Sequence, residues 1–210
     1  MAKAKVSRTS DWRAGFLFVG NHLALDFLNT CPVHDGNRLE LLPDFDAVLR
    51  WFQAAGQISP RQAEALREQW GDSERARGFT LTMVDLREKL RKEVLSWEQT
   101  GVLHRGMVDD LNMALHKHPM LARLKRETHG TTTELWFDPR QPEDLFAPLA
   151  HSVATLFASG DPGKVRMCGS CVLHFYDTSK KGTRHWCSMR LCGNRLKVAA
   201  YAKRRKTENG

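Results

Sequence analysis

The chain has 210 residues, 41% of them hydrophobic and 27% charged, with a formal net charge of +8. That length and apolar content suit one core-bearing domain plus a small module. No apolar run approaches the ~20 residues of a bilayer span, and Gly15-Phe-Leu-Phe-Val-Gly20, behind a basic start, is too short for an export signal. The expected compartment is therefore cytoplasmic, with no membrane partner.

The first part reads as mostly helix. Asn21 is placed to cap a helix through Asn29 that Pro32 ends. Pro43-Asp44 opens a second, in which Phe45, Val48, Leu49 and Phe52 recur at helical spacing before Gly56. Ser59-Pro60-Arg61-Gln62 combines an N-cap, a proline at the first helical position and a capping-box glutamine, predicting a helix to about Gln69. A longer helix is predicted over Thr80–Gln99, with Leu81, Val84, Leu90, Val94 and Trp97 on or near one face and Gly101 behind it. A shorter one follows over Gly106–His116.

Leu121–Phe137 changes character. The threonine run and Leu135-Trp136-Phe137 favour strand, and His129-Gly130 favours a turn, which predicts a small hairpin. Pro142–Ala158 returns to helix, with Glu143 and Asp144 in a first turn where acids complement the dipole. Ser159-Gly160-Asp161-Pro162-Gly163 marks a linker, dividing residues 1–160 from 164–206.

Within residues 1–160, His22 and Asp26 share a helix face at i, i+4, and a surface pair explains them better than chemistry with His34 does. His116 and His118 suit a helix end. Asn29 and Arg87 are candidates for orienting a small-molecule effector in a pocket, with cap and surface charge as an equal alternative. No phosphate loop, nucleophile elbow or metalloprotease helix motif is present, so no catalytic residue is assigned.

Charge divides unevenly along the chain. Residues 164–206 hold twelve Lys or Arg against one acid, Asp177, a net of +11, whereas residues 1–163 stand at −2. In that basic segment lie Cys168-Gly-Ser-Cys171 and Cys187-Ser-Met-Arg-Leu-Cys192, spaced C-x2-C-x15-C-x4-C. Two close thiolate pairs joined by a short loop suit a tetrahedral structural zinc ion, and disulfides are disfavoured in a chain without export signals. Phe175, Tyr176 and Trp186 are placed to form a miniature core around the metal. His174 and His185 are left to contact the ligating cysteines from behind or to meet phosphate. Ser188 is placed to cap a helix containing Cys192 and continuing to about Lys206.

Such a density of positive charge beside a metal site points to a polyanion, most often nucleic acid. Arg184, Arg190, Arg195, Lys197, Lys203, Arg204, Arg205 and Lys206 are the candidate contacts. Arg190 and Arg195, near the metal-fixed start of the helix, suit base edges, and the unbroken run Lys203–Lys206 suits phosphates. Asn194 reads as structural.

Cys168-x2-Cys171, Phe175-Tyr176-Asp177, Trp186-Cys187-Ser188-Met189 and above all Cys192-Gly193-Asn194-Arg195 resemble the CGNR zinc-finger family across roughly residues 164–206. Leu23-Ala-Leu-Asp-Phe-Leu-Asn29-Thr30 resembles the mainly helical domain found ahead of that finger. The resemblance implies a stress-related bacterial transcription regulator, with a DNA-binding finger and a ligand-sensing or dimerisation domain. The expected fold is mainly α with a small β-hairpin, a helical N-terminal domain followed by a small zinc-finger module. The expected function is zinc-dependent binding of duplex DNA, with a small-molecule effector and a homo-oligomer as further partners to test. The alternative is a non-enzymatic finger that binds protein or RNA. A nuclease is disfavoured, because a closed four-cysteine site leaves no open metal position for a nucleophilic water.

Overall fold

The computed structural model describes residues 11–34 and 37–194. Arg195, Lys197, the Lys203–Lys206 run and the expected continuation of the last helix lie outside the described residues. A two-residue hairpin, β1 (Trp12–Arg13) and β2 (Phe16–Leu17), leads into α1 (Leu23–Leu28) and a second small hairpin, β3 (Val33–His34) with β4 (Asn37–Arg38). Helices α2 (Phe45–Ala54), α3 (Pro60–Trp70), α4 (Glu74–Thr100) and α5 (Arg105–Lys117) follow. The antiparallel pair β5 (Leu121–Glu127) and β6 (Gly130–Trp136) and helix α6 (Phe146–Ser159) complete the helical body. The last strands, β7 (Val165–Met167) and β8 (His174–Tyr176), pair antiparallel and introduce the cysteine segment.

Local chemistry sets most helix ends. The Asp44 carboxylate accepts the Ala47 N–H at 2.8 Å to start α2. At α3 the capping box is reciprocal, Gln62 N–H to Ser59 Oγ at 3.2 Å and Ser59 N–H to Gln62 Oε1 at 2.9 Å. Helix α4 begins at a Ser73 cap rather than near Thr80, and Gly101 closes it with φ +70°, a conformation glycine adopts without a Cβ penalty. Two expectations fail near the start. Asn21 does not cap α1: it has φ +55° and turns its amide to the Tyr176 carbonyl, while His22 stands at the cap position without a side-chain bond. Asp26 forms no surface pair with His22. It is buried and accepts the Gly20 N–H at 2.7 Å, and burial pushes its carboxyl up to about 7.

The core lies between α1, α2, α4 and α6. Trp51, fully buried, meets Phe52 edge-on at 4.9 Å and Phe27 at 5.6 Å, and Phe79 meets Phe146 at 4.9 Å. Each such side chain contributes about 1.5–3 kcal/mol on burial. Leu81, expected near the apolar face of α4, points outward, while Thr80, Met83, Arg87 and Leu90 face inward. Arg87, 1% exposed, donates to both carboxylate oxygens of Glu40 and to Thr30 Oγ1 at 3.1 Å, fastening the segment before α2 to α4. Burial would raise the Glu40 carboxyl, but the Arg87 bonds prevail and hold it below its ordinary value.

Around α5 and the β5–β6 hairpin the packing thins. No residue of α5 is fully buried, and all seven residues of β5 are exposed.

Candidate metal centre

Strands β7 and β8 carry the first cysteine pair in the turn between them. Cys168 N–H donates to the Leu173 carbonyl at 2.8 Å and Val172 N–H to the Cys168 carbonyl at 3.1 Å, with Val172 at φ +55°. This tight loop holds Cys168 and Cys171 side by side. The second pair sits on a wide helical turn over Met189–Gly193. Ser188 caps it as expected, its hydroxyl accepting the N–H groups of Arg190 at 3.2 Å and Leu191 at 3.4 Å. Gly193 has a steric reason to be glycine. A Cβ there would lie 3.0 Å from the Trp186 ring nitrogen and 2.4 Å from Met189 Sδ.

The four sulfurs lie within 4.8 Å of one another, with Cys171 Sγ 3.4 Å and Cys192 Sγ 3.8 Å from Cys187 Sγ. A tetrahedron of sulfurs at the usual Zn–S distance of ~2.3 Å has edges of ~3.8 Å, so the cluster fits a zinc ion. Charge chemistry agrees. The Cys187 thiol pulls the Cys171 sulfur down to about 5, whereas burial and the neighbouring Cys171 sulfur push Cys192 up to about 11. A shared cation would relieve the repulsion between ionised sulfurs held this close. Neither histidine joins the cluster. His185 is exposed, and His174 is 2% exposed with neither ring nitrogen hydrogen-bonded among the described residues.

The miniature core differs from expectation in one member and gains several, Leu173 and Leu191 of the segment among them. Phe175 is fully buried and Trp186 packs beside it, but Tyr176 joins the helical body instead. Leu17 and Val19, 150 residues earlier in the chain, take its place against the cysteines. The seam continues in hydrogen bonds. The Asn29 amide donates to the His174 carbonyl and accepts the His174 N–H, both at 2.8 Å, so this side chain pairs with β8 as a neighbouring strand would. Gly20 O accepts the Tyr176 N–H at 2.8 Å, and Asn21 Nδ2 reaches the Tyr176 carbonyl at 2.9 Å. On the other side Asp11 accepts from Ser188 Oγ at 2.7 Å and lies 3.3 Å from the Arg190 guanidinium.

These contacts revise several sequence-level roles. Neither Asn29 nor Arg87 lines the cavity between α4, α5 and α6: one clamps the cysteine segment and the other pairs with Glu40. Arg184 donates to the Trp186 carbonyl at 2.7 Å and stacks over the Phe175 ring at 4.6 Å, so its guanidinium supports the loop. Arg190 is exposed but shared with Asp11. Asp177 proves to organise the loop. It is fully buried and accepts the N–H groups of Ser179 at 2.8 Å and Arg184 at 2.9 Å. Its Asp-x-Ser spacing was the available signal, since aspartate commonly bonds the backbone two residues on. Lys164, Arg166, Lys180 and Lys181 remain as exposed cations in this segment.

Two family models match the chain. One, described as the CGNR zinc finger, covers residues 164–205. The other, ABATE, described as "Putative stress-induced transcription regulator", covers residues 21–160. A comparison with curated proteins returns no match. The second model spans more than half of the chain and the first falls on the sulfur cluster, so the chain belongs to the ABATE family and is a zinc-binding member with a CGNR finger.

Proposed function

We propose that this protein is a zinc-dependent regulator that binds duplex DNA through its cysteine segment, while its helical body senses a small molecule. In this reading Cys168, Cys171, Cys187 and Cys192 hold the zinc, which is structural, and the chain is not an enzyme. Residues 1–160 and 164–206 are its two functional parts, and it works in the cytoplasm, where the DNA is. No helix among the described residues is long and apolar enough to cross a membrane.

One observation carries the DNA reading: the net of +11 over residues 164–206 is concentrated beside the zinc site of a regulator family. A zinc ion held by the four cysteines would fix the turn at Cys192, and Arg195, Lys197 and the Lys203–Lys206 run follow that turn in the sequence. Arg195 is the base-reading candidate, and the run supplies phosphate contacts, with Lys180 and Lys181 as additional ones. Arg184 is not counted among them, because its guanidinium is committed to Trp186 and Phe175.

The test compares binding to a selected and a random duplex across salt concentrations. Arg195→Ala should lose about 1–3 kcal/mol of discrimination while keeping most non-specific affinity. Lys203→Ala with Arg204→Ala should weaken both duplexes alike and flatten the salt dependence by about one log–log unit per contact. If neither variant changes DNA binding, the finger's partner is a protein or RNA.

A further inference from the structure

Helix α5 is pinned at both ends and stands off in the middle. At its start, Glu93, 7% exposed on α4, accepts the His104 N–H at 2.8 Å and meets His104 Nδ1 at 2.9 Å. At its end the buried His118 ring lies 5.5 Å from the Phe146 ring. Between the pins, Leu111 and Ala114 face α4 and α6 without being fully covered. A cavity of about 410 Å³ remains, walled by Leu86 and Leu90 of α4, Leu111 and Ala114 of α5, and Leu149 and Val153 of α6.

A helix with an inward apolar stripe ordinarily closes onto its neighbours, because each buried methylene is worth about 0.8 kcal/mol. Here the pins hold the walls apart, and the volume falls in the range of small-molecule sites, roughly 300–1,000 Å³. Asp85 and Asp110 balance Lys89 and Lys117 around the opening, so the walls offer no net charge. The His118 imidazole is the polar group at one end. Burial, helped by Lys117, lowers its basicity, and in its neutral form it offers one donor and one acceptor.

We propose that this cavity is an effector site for a neutral small molecule with an apolar, ring-sized body and one hydrogen-bonding group directed at His118. The proposal rests on the sensing reading above and gives it a place and a ligand class. The site also has a route to the finger. Helix α6 presents Val153 to the cavity and Ser152 to α1, where its hydroxyl accepts the Ala24 N–H at 3.1 Å. Asn29, at the end of α1, holds β8. A ligand that moves α6 therefore acts on the strand beside the cysteines through a single short helix.

The probe is N-phenylnaphthylamine, a neutral aromatic amine whose fluorescence rises when it leaves water. It is titrated into the full-length, zinc-loaded protein without DNA. A saturable rise at one equivalent is expected, weakened at least tenfold in Ala114→Phe and Ala150→Phe, which fill the space. Hydrogen exchange on the wild-type protein supplies a second readout that needs no variant. The probe should slow exchange across residues 105–118. The proposal is overturned by the absence of saturable binding, by filled variants that are well folded and bind as the wild type does, or by protection confined to another element. A polar metabolite that raises the melting temperature of wild type and Ala114→Phe equally would leave sensing intact and overturn this site. The DNA-binding reading is untouched by any of these outcomes.

Discussion

The helical body and the cysteine segment reach a fixed structure by opposite means. In the body, aromatic and aliphatic side chains from α1, α2, α4 and α6 bury one another. The cysteine segment has few apolar residues of its own. Its cluster consists of sulfurs and a few neighbours, and it is completed by Leu17 and Val19 from the far end of the chain. The body supplies nearly all of its own core, taking only Val165 and Tyr176 from the segment, whereas the segment draws Leu17 and Val19 into a much smaller cluster.

Removing zinc is the harshest way to break that comparison. Structural zinc contributes on the order of 10 kcal/mol to a small finger, far more than the few apolar contacts beside it. Chelation should therefore unfold residues 165–193, and because Leu17 and Val19 lose their partners, the β1–β2 hairpin should loosen with them. Helices α2 to α4 should stay folded. Hydrogen exchange with and without chelator reads this directly, and an N-terminal hairpin as protected as before would show that the segment borrows nothing from it.

A milder break targets the seam. Asn29→Ala leaves the N–H and carbonyl of His174 buried without partners, at about 1–3 kcal/mol each, so a loss of roughly 2–6 kcal/mol is expected. Zinc should be released to a chelator faster while α2 to α4 unfold as before. Asn29→Asp keeps the acceptor and loses the donor, and should fall between wild type and alanine. If zinc release is unchanged in Asn29→Ala, the two parts are joined by the apolar contacts alone.

The same contrast explains what was legible in the sequence. Local signals were readable: the capping box at Ser59-Gln62, the periodicity of α2, the β5–β6 hairpin and the cysteine spacing all depend on residues near each other in the chain. The start of α4 was also encoded locally, in the Ser73 cap, but Gly78 inside the helix hid it, since glycine usually marks a break. The seam had no local signal. Asn29 and His174 are 145 positions apart, and an asparagine side chain standing in for a peptide group leaves no periodic trace. Counting arginines likewise located the positive charge without showing that Arg184 is committed to a carbonyl and a ring. That distinction depends on the loop that Asp177 folds, and in the sequence Asp177 is only a lone acid among cations.

The smallest expected effect lies at the other edge of the seam, where Asp11 meets Ser188 and Arg190. The Arg190 side chain is 61% exposed, so this pair is a surface interaction worth about 0–1 kcal/mol, and Asp11→Ala should barely change the melting temperature. Its effect on DNA should be larger in proportion, on the reading that the segment binds DNA. Asp11 occupies the guanidinium that a phosphate would otherwise take, and it adds a negative charge beside the binding surface. Removing it should raise affinity for random and selected duplexes alike, by at most about fivefold, the equivalent of 1 kcal/mol. The gain should shrink as salt rises, because exposed charges are screened. Arg190→Ala should remove most of the gain, leaving only the part that comes from the Asp11 charge itself. Equal DNA affinity of Asp11→Ala and wild type at low salt would show that Arg190 faces the body and not the duplex.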